Sequence, residues 1–192
     1  MKQLKYKEVR NKMRPGDVIA LGGKGFFSAA IKTVTNCQVS HVGIILQSQI
    51  PTLEDGFINQ IIESTSLGDG FAGVQINRMS LRAKMYDGCL WWLPLSEKAR
   101  EKLDQAAFFS FLLEQNGKPY DMPQALGSAI DILPDQQEDF DKLFCSELLA
   151  AALEKGGVLS DINASEMTPA DVCKFDIYSE PCQIKGDPKE LF

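Results

Sequence analysis

The sequence predicts an α+β domain with a mostly antiparallel sheet. Three observations lead there. Short apolar runs of β type cluster between residues 17 and 94, two of them meet through Pro51-Thr52-Leu53 as a hairpin would, and the strongest helical pattern follows as a separate block. At 192 residues the chain is long enough for one well-buried core, so it reads as a single domain over 1–192, with a core of about 14–178.

Taken in order, residues 4–13 read as a short helix stopped by Pro15-Gly16, a turn signal. Asp17 to Leu21 is a short strand closed by Gly22-Gly23-Lys24-Gly25. That glycine cluster lacks the Ser or Thr that follows the lysine of a phosphate-binding P-loop, so it reads as a bend where the backbone passes close to something. Phe26 to Thr35 has helical spacing. Val39 to Leu46 is apolar on both faces, as in a central strand, and Phe57 to Glu63 is its expected neighbour. Gly73 to Ile76 is a further β segment, Met79 to Tyr86 is ambiguous, and Leu90 to Leu93 is a strand ended by Pro94.

Ser96 to Gln115 reads as one helix, with Ser96 as its cap and Leu103, Ala106, Ala107 and Phe111 as its buried stripe. Residues 122–142 read as irregular or loosely helical. A helix opening near Cys145 stops at Gly156-Gly157, and Thr168-Pro169 starts a last short one with proline at its first position. The tail from Pro181 is expected to be loosely held.

Composition narrows the function. The first fourteen residues carry six basic side chains against Glu8, leaving −11 on the remainder of a chain of net charge −6. Such a surface repels nucleic acid. No run approaches the ~18 apolar residues that span a bilayer, and no apolar stretch near the start resembles a signal peptide, so a cytoplasmic protein is expected. Five cysteines without a C-x-x-C pair, beside one histidine, argue against zinc and for free thiols. No cofactor is implied.

One constellation carries chemistry. Cys145 is expected at a helix start, where the macrodipole favours thiolate and open backbone N–H groups offer part of an oxyanion hole. Acids at Asp135, Glu138, Asp139 and Asp141 oppose a thiolate, but exposed carboxylates beyond ~8 Å are screened. The chain's one histidine, His41, begins an aliphatic strand, which places a titratable ring at a sheet end. If residues 39–47 and 57–65 pair symmetrically about Thr52, partners sum to 104 and His41 faces Glu63. A slip of one residue would put Glu63 on the other face. Tyr120, after a helix-ending Gly117-Lys118-Pro119, reads either as core packing or as a phenol beside the thiol.

With these residues in place, the chain resembles the circularly permuted papain-like thiol hydrolases of the YiiX/YebB type. These are relatives of NlpC-type cell-wall peptidases and lecithin:retinol acyltransferase-like enzymes. The matching pieces are Pro15-Gly16-Asp17-Val18-Ile19, Ser40-His41-Val42-Gly43-Ile44, Ile62-Glu63, Gly117-x-Pro119-Tyr120-Asp121, Phe144-Cys145-Ser146-Glu147-Leu148 and Thr168-Pro169-Ala170-Asp171. The resemblance implies a nucleophile Cys145, a base His41, an orienting Glu63, Tyr120 beside the thiol, and a helical lobe packed on a sheet. It also implies metal-free cleavage or transfer of acyl groups at amide or ester bonds, with a peptide or acyl-bearing substrate. Two rivals remain. One is an acyltransferase or lipid amidase with a channel lined by Phe26, Phe27, Trp91 and Trp92; the other is a non-catalytic module of the same fold.

Overall fold

The computed structural model describes residues 1–66, 71–119 and 141–192. In chain order its elements begin with β1 (Lys2–Gln3), α1 (Tyr6–Val9), β2 (Val18–Gly23), α2 (Phe26–Thr35), β3 (His41–Thr52) and β4 (Gly56–Ser66). There follow β5 (Ala72–Arg78), α3 (Met79–Met85), β6 (Gly88–Leu93), α4 (Glu97–Lys102) and α5 (Gln105–Gln115). The last are α6 (Asp141–Lys155), a 3₁₀ turn (Ala164–Glu166), α7 (Pro169–Val172) and β7 (Cys182–Lys185). Among the described residues the strands form one mixed sheet in the order β1-β7-β6-β2-β3-β4-β5, antiparallel except for the β1–β7 pair. The chain is thus α+β, as its sequence predicts.

Period-two alternation divides the central strands between two cores. Val18, Ala20, Trp91 and Leu93 join Leu149, Ala150 and Leu153 of α6 on one face. Ile19, Leu21, Leu90 and Trp92 join Val9, Met13 and Met79 on the other. The indoles are therefore core. Trp91 is wholly buried, and Trp92 Nε1 donates to Asp17 Oδ2 at 2.9 Å, so neither lines an acyl channel. Asp17 ties the start of β2 to the rest: its buried carboxylate also accepts from the N–H of Leu95 (3.0 Å), the N–H of Arg14 (2.9 Å) and the Arg100 guanidinium. Burial pushes its carboxyl up against the pull of these donors.

Several elements depart from expectation. The single helix over Ser96–Gln115 is two, because Asp104 takes an extended conformation and caps a new start, accepting from the N–H of Ala106 and of Ala107 at 3.0 Å each. Ser96 caps the first of them, as expected. The helix over 4–13 shrinks to α1, and the Lys2–Gln3 segment ahead of it pairs with β7 at the edge of the sheet. The tail from 181 is not loose: Cys182–Lys185 is the strand between β1 and β6, and Ile184 is buried. Backbone pairing, which local composition does not report, holds it. The ambiguous 79–86 stretch is the helix α3.

Candidate functional site

The β3–β4 hairpin positions two of the expected residues by a register that differs from symmetry about Thr52. Beside the turn, partners sum to 108 (Thr52↔Gly56, Pro51↔Phe57, Ile50↔Ile58). One irregularity brings the sum to 107 at Gln47↔Gln60, and a second brings it to 106 at Ile45↔Ile61 and Ile44↔Ile62. Gln49, in the first irregular stretch, takes φ +57°, and its N–H donates to Asn59 Oδ1 at 2.9 Å. Continued, this register sets Glu63 opposite Gly43 rather than His41. A Cβ on Gly43 would stand 3.2 Å from Glu63 Cβ and 2.6 Å from Ile61 Cδ1. The missing side chain leaves Glu63 a diagonal path to His41, and Nε2 of the ring lies 2.9 Å from Glu63 Oε2. The contact survives the wrong register because 104 and 106 share parity, which keeps both residues on one face.

Glu63 is wholly buried and holds more than the histidine. Arg82 of α3 donates from an Nη2 to Oε2 at 2.8 Å, and its Nε stands 2.6 Å from Oε1 as an ion-pair contact rather than an aligned hydrogen bond. Asn77 Nδ2 donates to Oε1 at 3.2 Å. Burial works to raise the Glu63 carboxyl, but His41 and Arg82 together hold it at about 2. The Arg82 guanidinium also lies over the Tyr86 ring, 5.5 Å from its centroid. Tyr86 in turn hydrogen-bonds Ser40, and burial pushes its phenol to about 12.

Cys145 and His41 come together. Burial pulls the imidazole down, yet its hydrogen bond to and charge interaction with Cys145, joined by those with Glu63, lift it from 6.5 to about 9. Since Nε2 is committed to Glu63, Nδ1 is the nitrogen left for the sulfur. The thiol, ring and carboxylate are all nearly covered: Cys145 is 1%, His41 4% and Glu63 0% exposed.

The position of Cys145 within its helix corrects the expectation drawn from the sequence. The helix is already formed at Asp141, so Cys145 lies in its second turn rather than at its opening. Macrodipole stabilisation fades beyond the first turn, and i→i−4 bonding uses the N–H groups of Cys145 and the residues after it. The partner histidine, not the helix end, is therefore the charge beside the sulfur, and α6 leaves no open backbone donors there for an oxyanion. Tyr120 and the acids Asp135, Glu138 and Asp139 lie outside the described residues.

Sequence reading missed Arg82, Asn77 and Tyr86. A signal existed for two of them: Met79, Arg82, Ala83 and Tyr86 follow i, i+3, i+4, i+7 spacing, and an arginine on an otherwise apolar helical stripe calls for a buried carboxylate. Among the described residues no group of three or more His, Cys, Asp or Glu side chains is arranged to hold a metal ion, and no helix is long and apolar enough to cross a membrane.

A scan of known protein families matches none, and no curated protein matches this chain. Among solved structures, the chain is similar to the crystal structure of metalloprotein YiiX from Escherichia coli O157:H7. The two superpose with a TM-score of 0.46 at 18% identity, covering 74% of this chain and 66% of that one.

Proposed function

We propose that this chain is a cysteine hydrolase of the circularly permuted papain-like type, cleaving amide bonds of peptide or peptidoglycan-peptide character. One observation carries the reading: the only histidine in the chain contacts both a buried thiol and a buried, arginine-held carboxylate. That is the arrangement a thiolate–imidazolium pair needs, with the ring oriented from behind.

In this reading Cys145 Sγ gives its proton to His41, and the thiolate adds to the substrate carbonyl carbon. The tetrahedral intermediate collapses as the imidazolium hands that proton to the leaving amine, which departs and leaves an acyl thioester. Water then attacks the thioester, His41 takes its proton, and the acid is released as the proton returns to sulfur. Glu63 stays ionised throughout and stabilises the charged ring.

The covered thiol favours a second reading, a non-catalytic module that keeps the fold. Alkylation separates the two. All five thiols are buried, and Cys145 is as covered as any of them, so exposure alone gives it no advantage. Iodoacetamide at neutral pH modifying Cys145 well ahead of Cys37, Cys89, Cys173 and Cys182 supports the hydrolase. Uniformly slow modification, or full turnover by Cys145→Ala on a peptide amide that the wild type cleaves, overturns it.

A further inference from the structure

The glycine cluster that closes β2 takes no part in the site above, and at Gly23 what the backbone passes close to includes Tyr86. A Cβ on Gly23 would stand 3.1 Å from the Tyr86 hydroxyl and 2.5 Å from Ser28 Oγ. The same glycine's N–H donates to Ser40 Oγ at 3.2 Å, and the Tyr86 hydroxyl shares a hydrogen bond with that serine. The missing side chain therefore leaves room for a phenol to reach the residue directly ahead of His41.

The phenol arrives on a fixed support. Tyr86 closes α3, its N–H donating to the Arg82 carbonyl at 3.0 Å. Lys185 of β7 spends its ammonium on the carbonyls of Ala83 (2.7 Å), Lys84 (3.1 Å) and Tyr86 (2.6 Å), which ties the C-terminal end of the helix to the sheet. One turn back, Arg82 lays its guanidinium 5.5 Å from the Tyr86 ring centroid while donating to Glu63. The electron-rich face of the ring attracts that cation as the carboxylate does. Tyr86 thus serves both partners of the His41–Glu63 contact. Its hydroxyl meets the strand that carries the imidazole, and its face meets the arginine that holds the carboxylate.

We infer that Tyr86 is a positioning residue that keeps His41 against Glu63, acting through Ser40 and Arg82. Without the hydroxyl, the start of β3 loses this side-chain tie to α3. Without the ring, Arg82 loses the aromatic surface beside it, and the carboxylate it orients loosens in turn. The catalytic meaning of this role rests on the hydrolase reading; the hold on the histidine does not, because ring and carboxylate meet whether or not the thiol reacts.

The test follows the proton between the two groups. Labelling histidine with ¹⁵N in the full chain marks a single imidazole, so exchange of the His41 Nε2–H with water is read directly. In the wild type near neutral pH this proton should exchange far more slowly than that of a free imidazole. Exchange should quicken about fivefold in Tyr86→Phe, which removes the hydroxyl alone, and about thirtyfold in Tyr86→Leu, which removes the ring as well. Amides of Val18 and Leu93, in the core strands, should keep their wild-type protection in both variants. The inference is overturned by wild-type exchange in Tyr86→Phe, or by Tyr86→Leu exchanging no faster than Tyr86→Phe. Loss of core protection in step with the histidine, or free exchange in the wild type, overturns it as well. Iodoacetamide judges the hydrolase reading separately: slow alkylation of Cys145 beside a protected, Tyr86-dependent proton would end that reading and leave this one standing.

Discussion

Replacing Glu63 by glutamine removes the charge behind His41 while keeping an acceptor of the same shape. In the native site the ring stands at about 9 rather than 6.5, a difference worth about 3 kcal/mol in favour of the imidazolium. A carboxylate in hydrogen-bond contact with the ring contributes about 4 kcal/mol of attraction at an effective dielectric near 20, less what burial takes back. Glutamine keeps only the hydrogen bond, and the buried Arg82 guanidinium then faces the ring without the charge that screened it. The His41 midpoint should fall by about two pH units, to about 7 and so close to its ordinary value of 6.5.

Because the chain has one histidine, a ¹³Cε1 titration reads this group without assignment. A wild-type midpoint near 6.5 would refute the buried charged pair outright. A midpoint near 9 that Glu63→Gln leaves in place would show that Glu63 is not what holds the proton. Cys145→Ala should lower the midpoint at least as far, since the sulfur is the larger of the two influences raising it and Glu63 the smaller.

Arg82→Met leaves Glu63 buried with only His41 and Asn77, and urea unfolding at pH 7 should show a loss of about 3–5 kcal/mol, as for other broken buried pairs. Gly43→Ala forces a methyl against Ile61 and Glu63; a loss of about 1–3 kcal/mol is expected, with a lower His41 midpoint in the same NMR titration. Stability should also depend on pH in a defined way. His41, raised in the fold, contributes fully below its unfolded value of 6.5 and loses that contribution as pH rises through about 9. Glu63, lowered in the fold, contributes fully above 4.5 and loses that contribution as pH falls through about 2. Unfolding free energy measured across pH should therefore be greatest between 4.5 and 6.5.

The sequence by itself determined which segments are helix or strand wherever a local signal was strong. Phe26–Thr35, the Thr168 cap with Pro169 behind it, and the stop at Gly156-Gly157 were all legible, because each depends on a few adjacent residues. It also marked Cys145, His41 and Glu63 as chemically apt side chains, since residue type needs no coordinates. Tertiary structure decided how they meet. Two irregularities in β3 set the register, Gly43 opened the diagonal to Glu63, and α3 delivered Arg82 to the carboxylate. Tertiary structure also moved Cys145 from a helix opening into the second turn and drew Cys182–Lys185 into the sheet. These outcomes depend on contacts between residues far apart in the chain, whose energies are set by geometry that no local window contains.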